Sequence, residues 1–249
     1  MELHSVSVVY PSHGIHTAAL SGVSLTLAVG ETVAIVGRSG AGKTTLALVA
    51  AGLLRPVAGE VRHFGRVLKN VSSGAPSPIQ MVFQNPYAAL NPRRTIRSWL
   101  RLILARRRLG KSEGVEQFLA LAGLPESRLD ALPGQLSGGE CQRACIAASL
   151  AAKGRGLILD EPVTMLDSIA RQTVVRTLQQ LRESRNLSYL LITHDLALAT
   201  ELCDQAYVID EGRIIEGGAL TDVFTKPTKE MTRKLVNASF GRYQSRQIF

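Results

Sequence analysis

A chain of 249 residues in which 45% of the side chains are apolar can bury a sizeable core, as one domain or as a domain with a subdomain. Its 29 Lys and Arg against 20 Asp and Glu give a formal charge of +9, which attracts polyanions (nucleic acid, an anionic lipid surface, a nucleotide) without choosing among them. The longest uncharged apolar run, residues 46–54, falls far short of the ~20 residues that cross a bilayer, and no secretory leader pattern opens the chain; the expectation is a protein of the cytosol or of the cytosolic face of a membrane.

Residues 3–9 and 23–36 alternate apolar and polar in the manner of sheet strands, with Tyr10-Pro11-Ser12-His13-Gly14 read as a turn and loop between them. The apolar run Thr32-Val33-Ala34-Ile35-Val36 then meets Gly37-Arg38-Ser39-Gly40-Ala41-Gly42-Lys43-Thr44-Thr45, which opens into a buried helix beginning near Leu46. Strand, glycine-rich loop and helix in that order make a phosphate-binding P-loop. The three glycines let consecutive N–H groups point inward around an anion, and the helix start adds its partial positive charge. Lys43 would reach the β- and γ-phosphates, and the Thr44 hydroxyl would take one Mg2+ position.

Residues 59–64 and 65–68 read as a short hairpin, 72–78 as a flexible connection, and Ile79-Gln80-Met81-Val82-Phe83 as a strand ending at Gln84. Residues 95–152 read as helical, with breaks near Gly110, Gly123-Leu124-Pro125 and Pro133-Gly134. Much of the positive charge lies here, at Arg93, Arg94, Arg97, Arg101, Arg106, Arg107, Arg108 and Lys111. The apolar residues between them make this the solvated face of an amphipathic helix. Nucleic acid is not expected as a partner, because aromatics at 5% leave little for base stacking. Cys141, Cys145 and Cys203 cannot all pair and form no Cys-x-x-Cys, so free thiols of a reduced compartment are expected. Cys141 and Cys145 lie one helical turn apart, and without a third ligand nearby their expected role is packing.

A strand at 156–159, a helix at 168–184, a strand at 188–193, a short helix at 195–203 and strands within 205–216 complete a parallel α/β core. Past Gly217 only two short helical stretches and a polar end remain. The strand Leu157-Ile158-Leu159 delivers Asp160 and Glu161 at its C-terminal end, the end that faces the ligand crevice in open α/β sheets. Asp160 suits Mg2+, and Glu161 suits the polarisation of a water for attack on a γ-phosphate. Leu136-Ser137-Gly138-Gly139-Glu140 reads as a capped helix start, a second anion-binding terminus that would serve a nucleotide held by another subunit.

These motifs, with Gln84, Leu166-Asp167 and Thr193-His194-Asp195 in the same order, resemble those of ABC-type ATPases from about Leu3 to about Gly217. The resemblance implies the ABC ATPase fold: α/β, a P-loop NTPase parallel-sheet core with an N-terminal antiparallel β layer and an inserted α-helical subdomain. It implies an ATPase domain over 1–217, with the core in 1–92 and 153–217 and the helical subdomain in 93–152, followed by a C-terminal helical tail over 218–249. On the same resemblance Tyr10 stacks on adenine, Gly37 to Thr45 bind the phosphates, and Thr44, Gln84 and Asp160 hold Mg2+. Lys43, Gln84, Glu161 and His194 form the catalytic set. Ser137, Gly138 and Gly139 bind the γ-phosphate of the opposite subunit's ATP, and Asp167 connects the two sites. Two departures stand out: Glu140 occupies a position where the family usually has Gln, and Thr164-Met165 replaces the commoner Ser-Ala.

The segment Gln84-Asn85-Pro86-Tyr87-Ala88-Ala89-Leu90-Asn91-Pro92-Arg93-Arg94-Thr95-Ile96 is similar to that of peptide and nickel importer ATPases. This implies a second ATPase subunit, identical or related, two transmembrane permease subunits, an extracytoplasmic solute-binding protein acting indirectly, and a place on the cytoplasmic face of a bacterial inner membrane. Gly37-Arg38-Ser39 leans towards the nickel branch, with peptide import beside it. A soluble ABC protein acting on nucleic acid or ribosomes is the reading from a different class. Such chains carry two cassettes or a long coiled coil, whereas here roughly ninety residues without sustained heptads separate P-loop and signature.

Overall fold

The computed structural model describes residues 1–12, 15–68, 77–106 and 114–241. The expected connection over 72–76, the basic residues Arg107, Arg108 and Lys111, the break at Gly110 and the end of the tail lie outside the described residues. In chain order the elements are β1 (Glu2–Ser12), β2 (Ile15–Thr26), β3 (Thr32–Val36), α1 (Lys43–Ala50), β4 (Ala58–His63), β5 (Arg66–Val67), β6 (Ile79–Val82), α2 (Pro86–Ala89), α3 (Ile96–Arg106), α4 (Val115–Leu121), α5 (Gly138–Ala151), β7 (Gly156–Asp160), α6 (Ser168–Arg185), β8 (Ser188–Thr193), α7 (Leu196–Leu202), β9 (Gln205–Asp210), β10 (Arg213–Ala219), α8 (Leu220–Thr225) and α9 (Glu230–Phe240). Two 3-10 turns, Glu126–Arg128 and Pro133–Gln135, precede α5.

The chain divides into two compact units, Met1–Val71 with Tyr189–Phe249, and Ser72–Ser188. In the first unit an antiparallel sheet runs β2-β1-β4-β5. Leu3, Val6, Val8, Leu20, Val23 and Leu25 are buried, the apolar share of the alternation read in the sequence. The same unit holds β9, β3 and β8 side by side and parallel, with β10 antiparallel on β9. Every residue of β3 is buried, as expected of a strand covered on both faces. The hairpin from β9 to β10 turns at Glu211 and Gly212, both with positive φ (45° and 73°), the pair a type I′ turn requires.

Tyr10 and Pro11 do not form the expected loop; β1 continues through them, opposite Thr17 and His16 of β2. Pairing to β4 ends at Ser7, so Pro11 has a strand partner on one side only, where the missing N–H is tolerated.

In the second unit β6 and β7 pair in parallel, Val82 opposite Leu159. The centre of this unit is α5, whose Cys141, Ala144, Cys145, Ala147, Ala148 and Ala151 are buried. Side chains this small let α2, α3, α4, α6 and β6 all pack against one helix. Arg97 departs from the expected solvated arginine face. Its Nε and one terminal nitrogen bind the two oxygens of Asp130 at 2.8 and 2.9 Å, while the other binds Glu116 at 2.8 Å, tying α3 to α4. The three cysteines are free and buried. Burial pushes the Cys145 thiol up to about 12 and raises that of Cys141, so both behave as small packing groups. Among the described residues no helix is long and apolar enough to cross a membrane.

Candidate active site

In the first unit β3 feeds a loop whose backbone explains its glycines. Gly40 and Gly42 have φ of 80° and 102°, the left-handed region that side chains disfavour. Gly37 is required for a different reason: a Cβ there would lie 2.3 Å from the carbonyl oxygen of Ile209 in β9. The loop closes on itself through the ammonium of Lys43, which donates to the carbonyls of Gly37 and Arg38 at 2.8 Å each. Lys43 is 9% exposed, whereas Arg38, Ser39, Gly40 and Thr44 face solvent. The first turn of α1 carries no acidic residue, so no carboxylate within that turn offsets its positive pole. The result is a glycine-rich loop closed on a pinned cation at a helix start, a charge suited to phosphate.

The parallel register of β3 and β8, Val36 opposite Thr193, brings Gly37 and His194 out at the same ends of neighbouring strands. His194 is exposed, and the next residue, Asp195, caps α7 by accepting from the Leu198 N–H at 3.0 Å. Tyr10, 39% exposed, pairs with Thr17, two residues from Ala19, whose carbonyl oxygen borders Gly42.

In the second unit the register of β6 and β7 brings out Gln84 and Asp160-Glu161 at matching strand ends. Asp160 is 5% exposed and Gln84 is exposed. Glu161 has φ of 47°, a left-handed conformation unusual for glutamate, and its Oε2 accepts from the Thr164 hydroxyl at 2.8 Å. Ser137 caps α5: its hydroxyl accepts from the Glu140 N–H at 3.2 Å and its own N–H donates to Glu140 Oε2 at 2.8 Å. A Cβ on Gly139 would sit 2.7 Å from that of Ala170, so glycine here lets α6 lie against the start of α5. Asp167 caps α6 through the N–H groups of Ile169 and Ala170 at 3.0 and 2.8 Å. Gln84, Tyr87, Gly138, Gln142, Pro162 and Leu166 are among the residues lining a cavity of about 220 Å³.

A family model for the ABC transporter matches residues 20–164. The nickel import ATP-binding protein NikE of Shigella boydii is 39% identical over 240 residues, 93% of this chain and 89% of that protein. NikE of Escherichia coli K12 is 38% identical over the same shares. The chain belongs to the ABC transporter family.

Solved ABC cassettes share its architecture. The dimeric, post-hydrolysis cassette MJ0796, bound to ADP and Pi, superposes with a TM-score of 0.78 at 27% identity, over 88% of this chain and 98% of that one. Clostridium perfringens cbiO1, part of the transporter complex cbiONQ, gives 0.77 at 25% identity over 97% and 95%. The expected fold class stands: this is the P-loop ABC ATPase fold, with parallel and antiparallel sheets and a helical insert. As an ABC cassette the chain is an ATPase, converting ATP and water to ADP and phosphate.

Three features of this cassette escape the sequence motifs. Thr164 holds the Glu161 carboxylate, Arg128 binds Glu140 at 2.8 Å, and the Tyr87 hydroxyl donates to the Leu136 carbonyl at 3.1 Å. The Glu140 departure was the one visible sign that a cation belonged nearby. The donors expected to hold Mg2+ are a Thr44 hydroxyl on α1, a Gln84 amide and the Asp160 carboxylate. All are hard oxygen ligands, the set that cation prefers, with phosphate oxygens and water to complete it.

Proposed function

We propose that this cassette powers a bacterial nickel or metal-chelate importer, working as a pair of ATPase subunits, identical or related, beneath two transmembrane permeases on the cytoplasmic face of the inner membrane. A solute-binding protein outside would deliver cargo, and no nucleic acid takes part. The ATPase domain is 1–217, with its core in 1–92 and 153–217, a helical subdomain in 93–152 and a tail beyond. The observation that carries this reading is the 39% identity to a nickel import protein sustained over 93% of the chain, together with an intact phosphate loop.

Each ATP is held by one subunit's Gly37, Arg38, Ser39, Gly40, Ala41, Gly42, Lys43, Thr44 and Thr45, with Tyr10 against the adenine. The donating N–H groups and the Lys43 ammonium neutralise the triphosphate. Thr44, Gln84 and Asp160 would hold Mg2+, which would supply charge stabilisation to the triphosphate. Glu161 accepts a hydrogen bond from the attacking water, polarising and orienting it, and His194 contacts the γ-phosphate. Ser137, Gly138 and Gly139 of the opposite subunit bind that γ-phosphate, so ATP closes the pair, and Asp167 links the two sites. The exposed Arg93, Arg94, Arg101 and Arg106 meet anionic lipid headgroups.

Co-reconstitution with the cognate permeases and binding protein in vesicles tests this reading. ATP-dependent uptake of nickel is expected, and Glu161→Gln abolishes it while trapping an ATP-bound pair. Uptake of peptides but not nickel would move the chain to the peptide branch. Stimulation of ATPase activity by RNA, with none by the membrane subunits, would overturn the importer assignment.

A further inference from the structure

The signature segment ends in a carboxylate, Glu140, in a place where an amide would cap the helix equally well. A capping box needs only an acceptor at its fourth position, and glutamine supplies one. The Ser137 backbone N–H, working against burial and with help from the Arg128 guanidinium, keeps the Glu140 carboxyl below its usual range and ionised at neutral pH. The negative charge is therefore 2.8 Å from the Ser137 N–H, on the same helix start whose exposed serine hydroxyl is assigned above to nucleotide phosphate. Two anions at one helix pole oppose each other, and the helix dipole cannot serve both fully.

Arg128, at the end of the 3-10 turn Glu126–Arg128, supplies the countercharge. Its Nε donates to Glu140 Oε1 at 2.8 Å, while Glu140 Oε2 faces the Ser137 N–H. The carboxylate has 16% side-chain exposure against 44% for the arginine, so solvent screens the pair only in part. Arg143, one turn along α5, lies beside Gly139; burial lowers its pKa while the Glu140 charge opposes that shift, so it shares the field of this carboxylate, and Arg128 is the cation hydrogen-bonded to it. We propose that Arg128 is a positioning residue whose pairing with Glu140 cancels the signature's own negative charge and so allows the Ser137 helix start to accept a nucleotide phosphate. This rests on the assignment of Ser137 to the partner subunit's ATP.

A double-mutant cycle on the full chain tests it, using steady-state ATPase rates against ATP concentration for Arg128→Gln, Glu140→Gln and the double variant, with Ser137→Ala beside them. Arg128→Gln alone should raise the ATP concentration at half-maximal rate roughly three- to fivefold, the scale of a half-exposed ion pair, and change kcat less. In the Glu140→Gln background the same change should have no effect, because no charge is left to cancel. Equal losses in both backgrounds would make Arg128 a merely structural residue, and no loss in either would remove its role; both overturn the proposal. A crippled Ser137→Ala alongside either result leaves the site assignment intact, whereas a fully active Ser137→Ala would remove that assignment and this proposal with it.

Discussion

The Thr164 hydroxyl donates to Glu161 Oε2 at 2.8 Å, across three residues of a turn that begins with Glu161 in a left-handed backbone conformation. The backbone aims the carboxylate and the hydroxyl fixes its rotation, so two separate constraints hold the group proposed to orient water.

Thr164→Val keeps the branched shape and removes only the donor. A hydrogen bond to a charged group of about 1.5 kcal/mol expressed in the transition state corresponds to roughly a tenfold fall in kcat. ATP affinity should stay unchanged, since the hydroxyl touches no nucleotide-binding group, and Thr164→Ser should restore the rate. Single-turnover hydrolysis beside equilibrium ATP binding separates the two effects.

The elements legible in the sequence were those with strong local signals. The fully buried β3 and β8, the glycine loop before α1, and the Asp160-Glu161 strand end fall in the structure where pattern and motif put them. What escaped depends on partners distant in sequence. Pro11 marks a break unless the register with β2 and the end of pairing with β4 are known. Arg97 reads as one more exposed arginine until Asp130 and Glu116 are folded onto it. The Thr164, Tyr87 and Arg128 contacts follow from the geometry of turns, which side-chain periodicity does not encode.

The phosphate loop contains glycines needed for different reasons, and substitution should separate them. At Gly37 an alanine Cβ would lie 2.3 Å from the Ile209 carbonyl, backbone against backbone, so the loop must lift away from β9. Gly37→Ala should cost about 1–3 kcal/mol of stability and abolish ATP binding. At Gly40 the space is open and only the φ of 80° resists a side chain, so Gly40→Ala should cost about 1 kcal/mol. Thermal melts with and without ATP report both: Gly37→Ala loses the ATP-induced rise in Tm, and Gly40→Ala keeps part of it.

Glu216 of β10 caps α9 from outside the helix. Its Oε1 accepts from the Thr228 N–H at 2.6 Å and hydroxyl at 2.7 Å, and its Oε2 from the Lys229 N–H at 3.1 Å. Burial alone would raise its pKa; the Thr232 side chain, both Thr228 groups and the Lys229 N–H outweigh burial and bring it from 4.5 to about 2. A carboxylate depressed on folding stabilises the folded state fully above its unfolded value of 4.5, and that contribution disappears as pH falls towards about 2. Glu216→Gln should therefore lower stability at pH 7 by about 1 kcal/mol, the usual cost of a lost cap, and the gap to the unmodified chain should narrow steadily between pH 5 and pH 2. Denaturant unfolding across that range measures it, with amide exchange in α9 as the local report. The loss should stay in the tail: Phe240 detaches from Phe224, whose ring centroid lies 6.4 Å away, while the phosphate loop keeps its protection. A gap between the two chains that stayed constant with pH would mean that the carboxylate's charge contributes nothing and that its shape alone holds the helix.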